Sequence, residues 1–277
     1  MPSAPPAAEA IARHYDSLDY FYRDLWGEHV HHGLWLTGRE SPRAAVEQMS
    51  RRVLARLDLP PGARLADVGC GYGGTARLAA ETHGAHVTGF TLSAAQKRNA
   101  DQIPVPRGSV EIRVQDWAAA EFADGAFDAL LSLESLEHMA DKAGFARQAR
   151  RAVRPGGRVV ICTWLAADRV SRWSQRHLLD AICREARQAP LVTAAALRGV
   201  LHAAGFADVH AEDLNPQVAK TWSVILRRLV LRLFTRRRYR QFLFDGGGGD
   251  RVFALTICRL WLAYRTGCFR YGLFVCR

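Results

Sequence analysis

The chain has 277 residues, 49% of them hydrophobic, with 38 Lys+Arg against 27 Asp+Glu for a formal charge of +11. That length suits one large α/β domain or one domain with an elaborate cap. Six cysteines (Cys70, Cys162, Cys183, Cys258, Cys268, Cys276) without a C-x-x-C pair or adjacent histidines argue against a zinc site or a disulfide framework, and read as reduced core thiols.

MPSAPPAA at the start lacks the basic residues and apolar stretch of a signal peptide and reads as a loose tail. His14 to Leu36 is dense in aromatics and histidines. Tyr15, Leu18, Tyr22 and Leu25 fall at helical spacing, giving either core packing or a lid over a ligand. His29, His31 and His32 lack the Cys or acid companions of a metal site. A helix over Ser41 to Leu57, with Ser41 as N-cap and Pro42 in its first turn, leads to the turn Pro60-Pro61-Gly62.

An alternation of short apolar strands and helices follows. The strands are Arg64 to Val68, His86 to Phe90, Val110 to Val114, Phe127 to Leu133 and Val159 to Thr163; helices are expected over Thr75 to His83, Ser93 to Gln102 and Asp141 to Arg151, with a turn at Pro155-Gly156-Gly157. This order predicts a doubly wound, mostly parallel α/β sheet. After it come a helical stretch Asp168 to Gln188, a helix opened by Thr193 and closed by Gly205, and a sixth strand Ala207 to Glu212. A long helical stretch Gln217 to Gly267, interrupted at Gly246 to Gly249, precedes a last strand Tyr271 to Cys276 and makes seven strands in all. Its best membrane-span candidate, VFALTICRLWLAY, is short and broken by Arg259. The chain is expected to be soluble and cytoplasmic.

Four stretches fall at carboxyl ends of strands, where open sheets of this class bind ligands. LADVGCGYGG crowds Gly69, Gly71 and Gly73 between a strand and a helix and carries Asp67 inside the strand. A dinucleotide site would want an acid closing the second strand, and that strand ends in Gly89-Phe90-Thr91. A carboxylate at Asp67 suits a cationic, phosphate-free cofactor, and S-adenosylmethionine fits; alternatively, Asp67 only caps the turn. In FTLSAAQ, Ser93 and Gln96 also satisfy a capping box. Asp116 and Trp117 offer a carboxylate for an exocyclic amine and an indole to stack on a base. LESLEHMADK crowds Glu134, Glu137 and His138, where His138 can act as a base near neutral pH and either glutamate can orient it or face a cation. Equally, Glu137 and His138 can merely start the following helix.

Together, HYDSLDYFYRDLWGEHVHHGLW, DVGCGYGG, TGFTLSAAQ, ESLEHMADK, PGGRVVICTW and YRTGCFRYGLFVCR resemble the class I S-adenosylmethionine-dependent methyltransferases, and within them the tocopherol methyltransferase-like small-molecule enzymes. Cyclopropane fatty acid synthases share HYD and TLS-x-x-Q. The resemblance implies a Rossmann-like methyltransferase fold with an N-terminal helical lid (1–60), a cofactor-binding core (61–165), helices and a sixth strand (166–214), a helical insertion capping the substrate side (215–267) and the last strand (268–277). Matching positions imply that Asp67, Gly69 and Gly71 hold the methionine end of the cofactor. Thr91, Leu92 and Gln96 would take the ribose, Asp116 and Trp117 the adenine, with Leu133 beside them and Tyr15, His31 and His32 closing over from the lid. The implied activity is methyl transfer to a hydrophobic small molecule, phenolic, prenylated or alkaloid-like, with carbon as the expected acceptor atom. An alkene in a prenyl diphosphate is the alternative, with nucleic acid as a further one.

The positive charge collects in Leu226 to Arg240, LRRLVLRLFTRRRYR. A solvated face, an interfacial helix on anionic lipid, and a seat for an anionic substrate group are all open. A nucleic-acid partner is not expected, because no separate binding module is present and the arginines do not form a stripe interleaved with aromatics. High arginine and alanine usage, with no organelle-targeting extension, suggests a bacterial enzyme of secondary metabolism.

Overall fold

The computed structural model describes residues 7–244 and 252–277. Residues 1–6 of the tail and the expected loop Gly246 to Gly249 lie outside them. Seven strands form one sheet in the order β3-β2-β1-β4-β5-β7-β6. They are β1 (Arg64–Val68), β2 (His86–Thr91), β3 (Ser109–Val114), β4 (Phe127–Leu133), β5 (Val153–Ala166), β6 (Val209–Asp213) and β7 (Phe269–Cys276). Strands β1 to β5 pair in parallel, and β7 lies antiparallel between β5 and β6. The chain steps outward from β1 to β3 and then returns to place β4 on the other side of β1. That reversal leaves a crevice at the carboxyl ends of β1 and β4.

Successive strand residues point to opposite faces, and both faces are buried. Leu65, Val87, Leu131, Val160 and Leu273 belong to one apolar cluster, and Ala66, Phe90, Leu130, Ile161 and Phe274 to the other. Helix α2 (Pro42–Leu57), N-capped by Ser41 as expected, and α3 (Gly74–His83) contribute to the first cluster. The second is covered by α5 (Lys142–Ala152) and α8 (Ala194–Ala203).

Several boundaries differ from the sequence reading. The expected turn Pro155-Gly156-Gly157 is a bulge inside a longer β5: Phe127 pairs with Val153 and Ala129 with Arg158. Gly156 takes φ +78° there, and a Cβ on Gly157 would lie 2.4 Å from the Asp128 carbonyl oxygen, so the glycines permit the bulge without ending the strand. Helix α4 (Ala94–Ala100) stops short of Gln102, and the stretch from Asp168 becomes helical only at Arg172. Helix α6 (Arg172–Ser174) passes through a π turn (Gln175–Leu179) into α7 (Asp180–Glu185).

Two helical layers sit over the carboxyl edge. From the N-terminus comes α1 (Ala8–Leu25), which buries Ile11, Leu18, Phe21, Tyr22 and Leu25. Before the last strand come α9 (Asn215–Val218), α10 (Lys220–Thr235), α11 (Arg237–Phe244) and α12 (Phe253–Thr266). Extended backbone at Arg236 breaks α10 from α11. No helix among the described residues is long and apolar enough to cross a membrane.

Candidate active site

A cavity of about 250 Å³ opens in the crevice. Its wall takes Gly69 and Gly71 from the turn after β1, Thr91, Leu92 and Gln96 after β2, Asp116 and Trp117 after β3, and Leu133 and Glu134 from the end of β4. Ala8, Ile11 and Tyr15 of α1 close it from above. The positive φ of Gly69 (+79°) and Gly71 (+55°) makes the turn, but the two glycines answer different needs. A Cβ on Gly69 would lie 2.1 Å from that of Ser135, whereas nothing among the described residues stands within 4 Å of a Cβ on Gly71. Gly69 is therefore required by the protein and Gly71 leaves room for a ligand. Gly69→Ala is expected to cost about 2–4 kcal/mol from overpacking and left-handed strain, read as a lower midpoint in urea unfolding with an unchanged m value.

Asp67, in β1 before the turn, is 2% exposed and outside the cavity lining, and its Oδ2 has no hydrogen-bond partner among the described residues. Burial pushes its carboxyl up to about 7. Thr91 Oγ1 donates to Gln96 Oε1 (2.6 Å) and accepts from the Ser93 N–H (3.1 Å). Ser93 Oγ accepts from the Gln96 N–H (3.0 Å), so capping and cavity lining coexist at this turn. Asp116 Oδ1 accepts from the Ala118 N–H (2.9 Å) while the residue lines the cavity. Trp117 stacks on Phe122 at 5.1 Å and meets Phe90 edge-on.

A smaller cavity of about 60 Å³ lies beyond β4, walled by Tyr22, Trp26, Trp164, Trp222, Ile257 and Leu260 together with His31, His32, Glu134, Glu137 and His138. Tyr15, Val30, Glu134 and His138 line both cavities. His31 and His32 line only the smaller one, away from the wall shared with Gly69 and Gly71. His31 bonds through Nδ1 to the His32 carbonyl (2.9 Å) and through Nε2 to Ser50 (3.2 Å) and His29 (3.3 Å). Among the described residues no group of three His, Cys, Asp or Glu could hold a metal.

Glu134 has φ +56° without being glycine, which aims its carboxylate into a nest of donors. Its Oε1 accepts from the His32 N–H (2.6 Å) and the Tyr271 hydroxyl (2.9 Å), and Oε2 from His32 Nδ1 (3.0 Å) and Trp164 Nε1 (3.0 Å). Trp222 Nε1–H donates to His32 Nε2 (2.7 Å), so the ring proton is assigned to Nδ1, facing Glu134. Burial raises the Glu134 carboxyl, but the His32 imidazole and the hydrogen bonds more than offset this and hold it at about 2.

Glu137 is the opposite case. It is 1% exposed, Oε2 accepts from Thr163 (3.1 Å), Oε1 has no partner among the described residues, and burial followed by the Glu134 charge pushes its carboxyl up to about 8. His138 donates Nδ1–H to the Arg187 carbonyl (2.8 Å), which leaves Nε2 to accept from the Tyr15 hydroxyl (2.9 Å). Burial lowers its pKa to about 4, against the Arg187 bond and with the His14 and Lys142 charges. Two adjacent carboxyls are thus driven apart, one ionised and one protonated at neutral pH.

Residues 3–233 match the family model described as mycolic acid cyclopropane synthetase. The chain belongs to that family. It is an S-adenosylmethionine-dependent methyltransferase. Tocopherol O-methyltransferase of Arabidopsis thaliana is 28% identical over 97% of this chain and 82% of its own. The 27-O-demethylrifamycin SV methyltransferase of Amycolatopsis mediterranei is 29% identical over 80% and 83%. Among solved structures, a mycolic acid cyclopropane synthase complexed with SAH and CTAB superposes with a TM-score of 0.84 at 22% identity, covering 99% of each chain. Geranyl diphosphate C-methyltransferase from Streptomyces coelicolor A3(2) gives 0.69 at 21%, also over 99% of each chain. Those two establish the seven-stranded fold.

The methyltransferase cofactor fits the residues present. Gly71 leaves open space in the cavity wall, and Asp67, buried in the strand that leads into the turn, keeps one carboxylate oxygen without a partner among the described residues. Sequence reasoning missed how this methyltransferase fastens its lid. Asp16 of α1 accepts from Ser93 Oγ and from the Ala95 N–H (3.1 Å) at the start of α4. Asp19 accepts from Tyr72 (2.9 Å) and Asn99 (3.2 Å). The HYD tripeptide contained the signal, since its tyrosine lines the cavity and its aspartate ties α1 down. The aromatic walls Trp164 and Trp222, and Tyr271 on Glu134, were also missed, because each comes from a distant element.

Proposed function

We propose that the enzyme methylates a ring carbon of a hydrophobic phenolic acceptor seated in the smaller, aromatic-walled cavity. The observation that carries this reading is the wall shared by the two cavities, where Tyr15, Glu134 and His138 face both. S-adenosylmethionine supplies an electrophilic methyl group on a sulfonium, so the chain's own residues need only position the nucleophile and take one proton. In this reading the glycine turn holds the methionine end, with Asp67 buried behind it outside the cavity wall; Gly69, Gly71, Thr91, Leu92, Gln96, Asp116, Trp117 and Leu133 line the 250 Å³ cavity.

Glu137 is the general base in this reading: the residue lines the acceptor cavity, its Oε1 has no partner among the described residues, and its raised pKa brings it toward that of a phenol. Removing the phenolic proton makes the ring carbon nucleophilic; after the methyl joins that carbon, the carbon gives up its own hydrogen and the oxygen regains one, so one proton is released overall. Glu134 would set a fixed negative charge at the wall shared by the two cavities, where it would draw the cationic end of the cofactor and hold it toward the acceptor. His138 holds the Tyr15 hydroxyl, which keeps water from the junction. Relatives named tocopherol O-methyltransferase and 2-methyl-6-phytyl-1,4-hydroquinone methyltransferase, 28% and 35% identical, support a phenolic acceptor. Among the described residues no arginine or lysine lines either cavity, which weighs against a diphosphate at the reacting end.

The test is a panel of phenols, indole alkaloids and prenyl diphosphates with 13C-methyl-labelled cofactor, the product read by NMR. A new carbon-bound methyl on a phenol supports the reading, and label on oxygen or only on a prenyl diphosphate overturns it. Because Glu137 must lose its proton to act, kcat/KM is expected to rise about tenfold per pH unit and level off above about pH 8. Glu137→Gln is expected to flatten that rise and lower the plateau by about 10²–10⁴-fold.

A further inference from the structure

We infer that the outer face of α10 is a docking surface for anionic lipid, which sets the cap of the acceptor cavity against a bilayer. This rests on the reading that the acceptor is hydrophobic. Helix α10 is apolar on two sides. Its inner side buries Trp222, Ile225 and Leu229, while Val230, Leu231 and Phe234 on the outside are 45%, 57% and 81% exposed. With Arg227 they fall at i, i+3, i+4 and i+7, one continuous stripe. A solvated face would carry polar residues there.

The arginines divide into two sets. Arg228 donates to the Leu25 carbonyl, Arg232 pairs with Asp24, Arg238 lies over the Tyr20 ring, and Arg240 donates to the Leu233 and Phe234 carbonyls. Arg227, Arg236 and Arg237 are exposed and have no carboxylate partner among the described residues. Uncompensated positive charge beside exposed Leu and Phe is complementary to an anionic headgroup layer over an apolar interior. The same helices reach the chemistry from inside: Trp222 of α10 and Ile257 and Leu260 of α12 wall the smaller cavity. Docking through α10 therefore places that cavity one helix away from the lipid.

Flotation of the full chain with phosphatidylglycerol-containing and pure phosphatidylcholine vesicles tests this. Binding is expected to the anionic vesicles only. It is expected to fall about a hundredfold in R227E/R236E/R237E and at least about tenfold in L231S/F234S, with cofactor affinity by calorimetry and Tm unchanged in both. These substitutions touch neither cavity, so flotation stays informative whatever acceptor the enzyme uses. No preference for anionic vesicles, or full binding by L231S/F234S, would overturn the proposal. Loss in the arginine variant alone, matched by loss of single-stranded RNA binding, would replace lipid with nucleic acid.

Discussion

Glu134→Ala is expected to lose turnover by about 10²-fold through misplaced reactants and about 3–5 kcal/mol of stability. Both effects trace to one cause. The carboxylate accepts from the His32 backbone, the His32 ring, Trp164 and Tyr271, and all four donors lose their acceptor together. A buried donor without a partner costs its full desolvation. Those donors come from the segment after α1, from β5 and from β7, so the substitution loosens three parts of the chain at the cavity junction. Glu134→Gln separates charge from architecture: it keeps the side-chain shape and one carbonyl oxygen but sets an amide against two of the donors. A smaller stability loss with an equally large loss of turnover is expected, measured by urea unfolding and saturating-substrate kinetics. Wild-type turnover in Glu134→Gln would show that the negative charge plays no part in transfer.

How much of this was legible beforehand depends on whether a residue acts through its own strand or through partners elsewhere. The glycine turn, the TLSAAQ turn, Asp116-Trp117 and Leu133-Glu134 all follow strands, and knowing the strands places them on one edge. That part of the cavity was visible from periodicity alone. The division of labour between Glu134 and Glu137 was not, although they sit three residues apart. Their contrast comes from what each meets: four donors around one, and burial with the Glu134 charge outweighing Thr163 and Lys142 at the other. The sequence reading placed His31 and His32 with Tyr15 over the cofactor. In the fold, only Tyr15 reaches the larger cavity. His32 is drawn under Glu134 by Trp222 and Tyr264 from the late helices, a contact across more than 180 residues that no local pattern announces. The bulge in β5 escaped for a similar reason: Pro-Gly-Gly reads as a turn until the pairing on both sides of it is known.

Asp67→Asn is expected to stabilise the cofactor-free enzyme while weakening cofactor binding by about a hundredfold or more. An unpaired buried carboxylate is a burden on the free protein. Its carboxyl moves from 3.8 to about 7, so between those values the folded chain holds a proton that the unfolded chain has released. Stability should therefore fall as pH rises from about 4 to about 7 and then stay low, the loss reaching on the order of 4 kcal/mol. Asparagine carries no charge at any pH and removes that slope, so the variant should unfold at a higher urea concentration than wild type at pH 8 and close to it at pH 4. The cofactor reverses the preference. Its cationic end favours the carboxylate, so binding below about pH 7 must expel the proton, and affinity should weaken by up to about tenfold per unit as pH falls. Calorimetry in buffers of different ionisation enthalpy would detect the released proton in the wild type and none in Asp67→Asn. Equal cofactor affinity in the two proteins at pH 8 would remove Asp67 from the binding site.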